Sequence, residues 1–214
     1  MSGGQQITPV VVSDGLVTLE EAKAYLAIDI PISDDIIEER ILATGRYLER
    51  KCGRRFSLFA AKARTLWPNV KGSLDLVDLL GSPTPTVLID TSADRSFATV
   101  LASTDFELLP YPDDDEEAAR YQEMAIISPL LGFDKRVPVR ITGNWGYVEP
   151  DSRAPYEIRL AVLMILARWW KRKENPLMLV QMPGFGFHRM LDDDPDALRI
   201  IEAYTHPRKR RVLQ

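Results

Sequence analysis

Two helical segments stand at opposite ends of this chain, with strand-like sequence between them. Each has an apolar face that a single helix cannot bury by itself, so a folded chain must bring its two ends together. The first segment opens at Val17-Thr-Leu-Glu-Glu-Ala-Lys-Ala-Tyr-Leu26. Thr18-x-x-Glu21 matches a capping box, in which each side chain satisfies a free backbone N–H of the first turn. Leu19, Ala22 and Leu26 share one face, and the helix is expected to stop before Pro31, whose ring disfavours α geometry in the residue before it. A longer helix then starts after Ser33. Asp34 and Asp35 lie in its first turn, and Arg50, Lys51 and Arg54 lie near its end, as the macrodipole favours. Ile37, Ile41, Leu48 and Cys52 form its stripe, widened by Ile36, Leu42 and Tyr47, and Gly53 is placed for a left-handed C′ residue.

The second end reads Pro155-Tyr-Glu-Ile-Arg-Leu-Ala-Val-Leu-Met-Ile-Leu-Ala-Arg-Trp-Trp-Lys-Arg-Lys-Glu174. Asp151 or Ser152 precedes it, and Pro155 lies near its first turn. From Leu160 to Ala167 it is apolar almost all round, which predicts the central element of a core. Trp169 and Trp170 add large apolar area. Lys171-Arg-Lys173 complements the helix C-terminus, with contact to nucleic acid as the other reading. Residues 176–192 are irregular, and a last short helix starts at Asp194-Pro195 and runs through Leu198, Ile201 and Tyr204.

Between the ends the period changes. Arg64–Trp67, Ser73–Val77, Thr86–Asp90, Phe106–Leu109, Met124–Ile127 and Val137–Thr142 are short, apolar-rich and divided by Gly, Pro, Ser and Asp, which predicts strands of a small antiparallel sheet or barrel. The expected fold class is therefore α+β. A helical core of three main helices from both chain ends carries an inserted small antiparallel β region and extended terminal arms. In residue numbers, 1–16 form an N-terminal arm, 17–56 with 151–204 the helical core, 57–150 the inserted β region, and 205–214 a basic tail. Within the arm, Val10-Val11-Val12 has the composition to add a strand to a neighbouring sheet.

Composition narrows the function classes. Lys and Arg total 27 against 31 acids, a net charge of −4, which argues against a protein built to coat nucleic acid. Cys52 is the single cysteine, so an intrachain disulfide and a four-Cys zinc site are both excluded. It reads as a small apolar residue at a helix end, in a reducing compartment. The first residues lack the basic head and apolar run of a signal peptide. The run Leu160–Ala167 falls short of the about 20 apolar residues a bilayer span needs. The expectation is a soluble protein without a membrane partner.

Catalytic chemistry is not apparent. His188 and His206 are the two histidines, and neither has a partner at helical zinc spacing. No G-x-S-x-G elbow occurs, and Cys52 lacks a usual nucleophile context. Gly184-Phe-Gly186 lacks the third glycine and the preceding strand of a phosphate loop. Asp113-Asp-Asp-Glu-Glu117 lacks the ligand spacing and turn glycine of a calcium loop. No catalytic, cofactor or metal residue is therefore expected, and the protein is expected not to be an enzyme. The sharpest charged feature is Arg208-Lys209-Arg210-Arg211. It reads as a solvated terminus, as a docking element for an acidic surface on a partner protein, or as a contact with DNA phosphates.

Two stretches carry a resemblance. Val17–Leu26, followed by Asp34-Asp-x-Ile37 and Leu48-Glu-x-x-Cys-Gly-Arg54, resembles the opening of the head–tail connector (adaptor) proteins of long-tailed bacteriophages. Val139-Arg-Ile-Thr-Gly-Asn-Trp-Gly-Tyr147, then Pro150 and the helix Ile158–Trp170, is similar to that family's ending. The chain departs from the family in size, through the stretch from about Ala60 to Ser128 and the extension after Glu174. The resemblance implies a structural virion protein at the head–tail interface, assembled in the host cytoplasm. It implies a homo-oligomeric ring, commonly of twelve copies, between the portal protein and a tail-completion or tail-terminator protein. DNA would pass through the ring without sequence readout. On this reading Arg208, Lys209, Arg210 and Arg211 are the candidate portal-docking residues. The competing readings are a DNA-binding packaging or regulatory protein, and an enzyme with a dispersed site.

Overall fold

The computed structural model describes residues 15–29, 34–69, 72–92, 94–110, 120–127, 137–174, 179–182, 186–189 and 194–206. The chain divides into two compact units, Met1–Gly53 with Ala154–Gln214, and Arg54–Arg153.

The first unit is helical and takes its elements from both chain ends. Helix α1 (Leu19–Leu26) begins with the expected capping box. The Thr18 N–H donates to Glu21 Oε2 at 2.9 Å, and the Glu21 N–H donates to Thr18 Oγ1 at 3.1 Å. The helix ends earlier than Pro31, at Ala27, which adopts the left-handed conformation (φ 54°). There the Ile28 N–H donates to Lys23 O at 3.0 Å, the 6→1 bond of a Schellman-type stop. Helix α2 (Asp34–Cys52) buries Ile37, Ile41, Leu48 and Cys52 on one stripe, while Ile36 lies exposed outside it. Gly53 takes the left-handed C′ position (φ 70°), its N–H donating to Glu49 O at 2.8 Å. Helix α3 (Tyr156–Glu174) packs against α1, α2 and α4 (Pro195–Tyr204), burying Ile158, Ala161, Val162, Ile165 and Leu166. Trp169 and Trp170 are half-buried, and Trp169 meets Tyr47 edge-on at 5.5 Å. The capping residue Glu21 also ties α1 to α3, through Arg159 Nη1 at 3.0 Å.

The second unit is a curled, seven-stranded antiparallel sheet. Its strands are β1 (Phe59–Leu66), β2 (Leu74–Leu80), β3 (Thr86–Ile89), β4 (Thr99–Leu101), β5 (Phe106–Pro110), β6 (Arg120–Ile126) and β7 (Val139–Trp145). The path runs β4-β3-β7-β2-β6-β5, and β1 covers the other edge of β7. Val139, Ile141 and Trp145 alternate inward along β7 and meet Leu74, Leu76, Leu79, Val87, Ile89, Leu101, Phe106 and Met124. β2 changes face part-way. Leu74 and Leu76 point inward, Asp78 takes φ 55°, and Leu79 rather than Leu80 is the next leucine fully enclosed. The register with β6 slips between Asp75 and Leu79, the mark of a bulge. A separate hairpin pairs β8 (Leu179–Met182) with β9 (Gly186–Arg189).

The expected fold class needs correction. The chain is not a helical core bearing a small inserted β region: it is dominated by a seven-stranded sheet with a core of its own, accompanied by four helices. Strand pairing extends beyond the apolar cores visible in the sequence. β1 begins at Phe59 and β6 at Arg120, both in stretches whose polar residues hide the period. β4 and the β8–β9 hairpin are too short to show one.

Candidate interaction surfaces

The residues singled out by the sequence fall in different places. Arg208, Lys209, Arg210 and Arg211 lie outside the described residues, as do Val10-Val11-Val12, Ser33, Asp113–Glu117 and Gly184. Leu16, assigned to the terminal arm, is buried and packs on α2, where a Cβ at Gly45 would stand 3.4 Å from Leu16 Cγ. Lys171 is exposed at the end of α3. His188 lies in β9, and the His206 N–H donates to Cys52 O at 2.8 Å, fastening the end of α4 to the end of α2. Cys52 is fully buried, its thiol 3.7 Å from Ile201 O, which suits a packed side chain and not an accessible nucleophile.

The polar cluster of the sheet unit was not foreseen. Arg54, read as a helix-end cation, is 8% exposed and faces Asp78, 1% exposed, at 3.3 Å. The Tyr147 ring lies 4.5 Å from Arg54 Cζ and 3.7 Å from the buried Arg120 Cζ, and meets Phe56 edge-on at 6.0 Å. Arg64 stacks on Trp145 at 4.2 Å, and the Trp145 indole N–H donates to Lys62 O at 2.7 Å. Burial pushes the Arg64 guanidinium below its usual pKa, and the Asp78 charge opposes that shift. Asp78 and the Gly146 backbone hold the cluster in place: the Gly146 N–H donates to Asp78 O at 2.8 Å, and the Tyr147 N–H donates to Arg55 O at 2.7 Å. Enclosed in this way, the cluster orders the sheet and offers little to a substrate. Among the described residues no group of three or more His, Cys, Asp or Glu is placed to hold a metal ion. No helix among them is long and apolar enough to cross a membrane.

The surface points to protein contacts. Among the described residues of the sheet unit the exposed large apolar side chains are Trp67 at 61%, Val100 at 64% and Ile127 at 56%. All three sit at sheet margins. Trp67 follows β1, Val100 lies in β4, and Ile127 follows β6 and donates its N–H to Asp105 O just before β5. Among the described residues β1, β4 and β5 each pair with one neighbouring strand, so each has one edge without a strand partner. Apolar side chains beside open strand edges are the usual ingredients of strand addition and subunit contact. β1 carries a partial guard: its register slips between Phe59 and Lys62, Ala61 takes φ 48°, and Asn144 Oδ1 accepts the Ala61 N–H at 2.9 Å.

The fold has counterparts among solved structures. It is shared with a chain of a gene transfer agent particle. In the neck of the empty particle computed with C6 symmetry, the likeness has a TM-score of 0.52 at 16% identity, covering 92% of this chain and 93% of that one. In the virion of the native particle it has a TM-score of 0.52 at 17% identity, covering 92% of each chain. No protein-family model matches the sequence, and no curated protein matches it significantly.

Proposed function

We propose that this chain is a structural protein of a virion neck, a head–tail connector that forms a ring beneath the portal and joins it to tail-completion or tail-terminator proteins. The observation that carries this reading is the end-to-end likeness of its fold to a chain in a particle neck, covering 92% of this chain and 93% of that one. The resemblance of Val17–Arg54 and Val139–Trp170 to the connector family points the same way, from sequence alone. A ring of twelve contains a six-fold axis, so a twelve-membered ring is compatible with a neck computed with C6 symmetry. Open strand edges bordered by Trp67, Val100 and Ile127 suit a subunit that must meet copies of itself. DNA passes through such a ring unread, and the net charge of −4 disfavours its retention. The role is structural and requires no catalytic residue or cofactor. It belongs in the virion, after assembly in the host cytoplasm.

Within this reading Arg208, Lys209, Arg210 and Arg211 dock on an acidic surface of the portal. The experiment is native mass measurement of the purified protein, alone and with its portal. The reading predicts a multi-copy complex with the portal. A protein that stays a single copy and ignores the portal refutes it. Truncation belongs after His206, because the Thr205 hydroxyl donates to Ile201 O at 2.6 Å and the His206 N–H anchors to Cys52 O. Removing Pro207–Gln214 should weaken portal binding and leave the helical unit folded. Unchanged binding would refute the docking role of the basic run alone.

A further inference from the structure

Two margins of the sheet carry opposite charge. β1 borders β7, and the sheet then runs through β2 and β6 to β5, so β1 and β5 stand at opposite ends of that path. From Arg54 to Leu74 the chain holds five basic residues, Arg54, Arg55, Lys62, Arg64 and Lys71, and no acidic one. Arg54 faces Asp78 and Arg64 stacks on Trp145, which leaves Lys62 as the exposed cation of β1. At the other end the sign reverses. Asp105 precedes β5, Glu107 lies in β5, and Glu123 lies in its partner β6. The sequence between these two strands adds the acids Asp113–Glu117 and no base, and Arg120, at the start of β6, is buried against the Tyr147 ring. Lys62 and Glu107 are both exposed, and among the described residues neither forms an ion pair. Each margin also presents an apolar side chain to solvent, Trp67 just past β1 and Ile127 just past β6.

We propose that the β1 margin of one copy docks against the β5–β6 margin of the next, with Lys62 and Trp67 on one side and Glu107 and Ile127 on the other. The proposal rests on the connector reading, which supplies the ring in which this contact repeats. Opposite charge at the two ends of one sheet makes the contact head-to-tail: each copy offers a basic margin to one neighbour and an acidic margin to the other, and such contacts close into a ring when the rotation permits. Like margins repel, which disfavours the two-fold dimer in which one surface meets itself. Charge fixes which margin meets which, and an enclosed tryptophan is among the side chains that most often carry binding energy. β4 is the remaining edge, but its three residues, Thr99–Leu101, bear no charge to complement. The register slip between Phe59 and Lys62 disfavours a continued strand ladder at the start of β1, so side chains carry the contact there.

The test measures self-association of the full chain by sedimentation, and assembly on the portal by native mass, for wild type and variants, with thermal melts in parallel. Lys62, Glu107 and Trp67 are exposed, so their substitution should leave the melting temperature unchanged. Lys62→Glu and Glu107→Lys should each weaken self-association at least about tenfold, and the double exchange should recover part of that loss, because opposite charges face each other again. Trp67→Ala should weaken it about thirtyfold. Added salt should weaken the wild-type association. A wild type that forms a multi-copy complex while all three single variants assemble equally well overturns this contact and leaves the connector reading standing. Variants that keep their self-association and lose only the portal overturn it too, by assigning the margin to the portal. A wild type that stays a single copy, alone and on the portal, overturns both.

Discussion

Asp78→Asn probes the buried cluster of the sheet unit with one charge and almost no change of shape. Asp78 and Arg54 are 1% and 8% exposed and stand 3.3 Å apart. Arg64 also feels the Asp78 charge, and the buried Arg120 lies on the Tyr147 ring that Arg54 shares. Asparagine tolerates the left-handed backbone of residue 78 (φ 55°) about as well as aspartate, so the substitution isolates the electrostatic loss. Removing one partner of a buried pair costs about 3–5 kcal/mol, because the other charge stays enclosed without compensation. The 3.3 Å separation exceeds the about 2.8 Å of a strong charged hydrogen bond, which places the expectation at about 3 kcal/mol. That is a shift of roughly 150-fold in the folding equilibrium, measured against a typical domain stability of about 5–15 kcal/mol. Urea unfolding followed by tryptophan fluorescence reads it, since Trp145 is buried in the same unit. Asp78→Ala should cost about 1 kcal/mol more, from the left-handed backbone. Pairing Asp78→Asn with Arg54→Met should recover part of the loss, because both charges of the pair are then removed together. A change below about 0.5 kcal/mol for Asp78→Asn, the size of an ordinary surface substitution, would refute the claim that this pair is buried and coupled.

Two backbone predictions accompany it. A Cβ at Gly146 (φ +136°) would stand 2.3 Å from Ser57 O, so Gly146→Ala should destabilise by about 2–3 kcal/mol in the same unfolding assay, and a neutral result would contradict that close approach. Ala27 is exposed and left-handed at the end of α1, so Ala27→Gly should stabilise by about 0.5–1 kcal/mol, and a loss of thermal stability would contradict the assigned helix stop.

The sheet shows where legibility ended. Its apolar strand centres were visible, but β7 pairs with β1 from Phe59↔Trp145 to Leu66↔Val139 and with β3 from Thr86↔Thr142 to Ile89↔Val139, and no local period encodes such distant partners. The Asp78 bulge then moves the buried series from Leu74 and Leu76 to Leu79, an offset that alternation alone does not predict. Arg54 looked like a helix-end cation because the sequence shows its neighbours along the chain and not Asp78 across the sheet. Asp90 passed unnoticed for the same reason. The sequence places it at the end of the strand Thr86–Asp90, and only burial shows that water is excluded from it.

By itself the sequence determined the features that neighbours within one or two turns control: the Thr18–Glu21 cap, the Gly53 stop, the buried stripe of α2, and the need of each chain end for the other. Only the tertiary structure decided that a seven-stranded sheet dominates, which of its edges stay open, and which charges are shut away from solvent. Helix bonds link residues four apart, whereas strand order and dielectric environment are set by residues that meet only after the chain has folded.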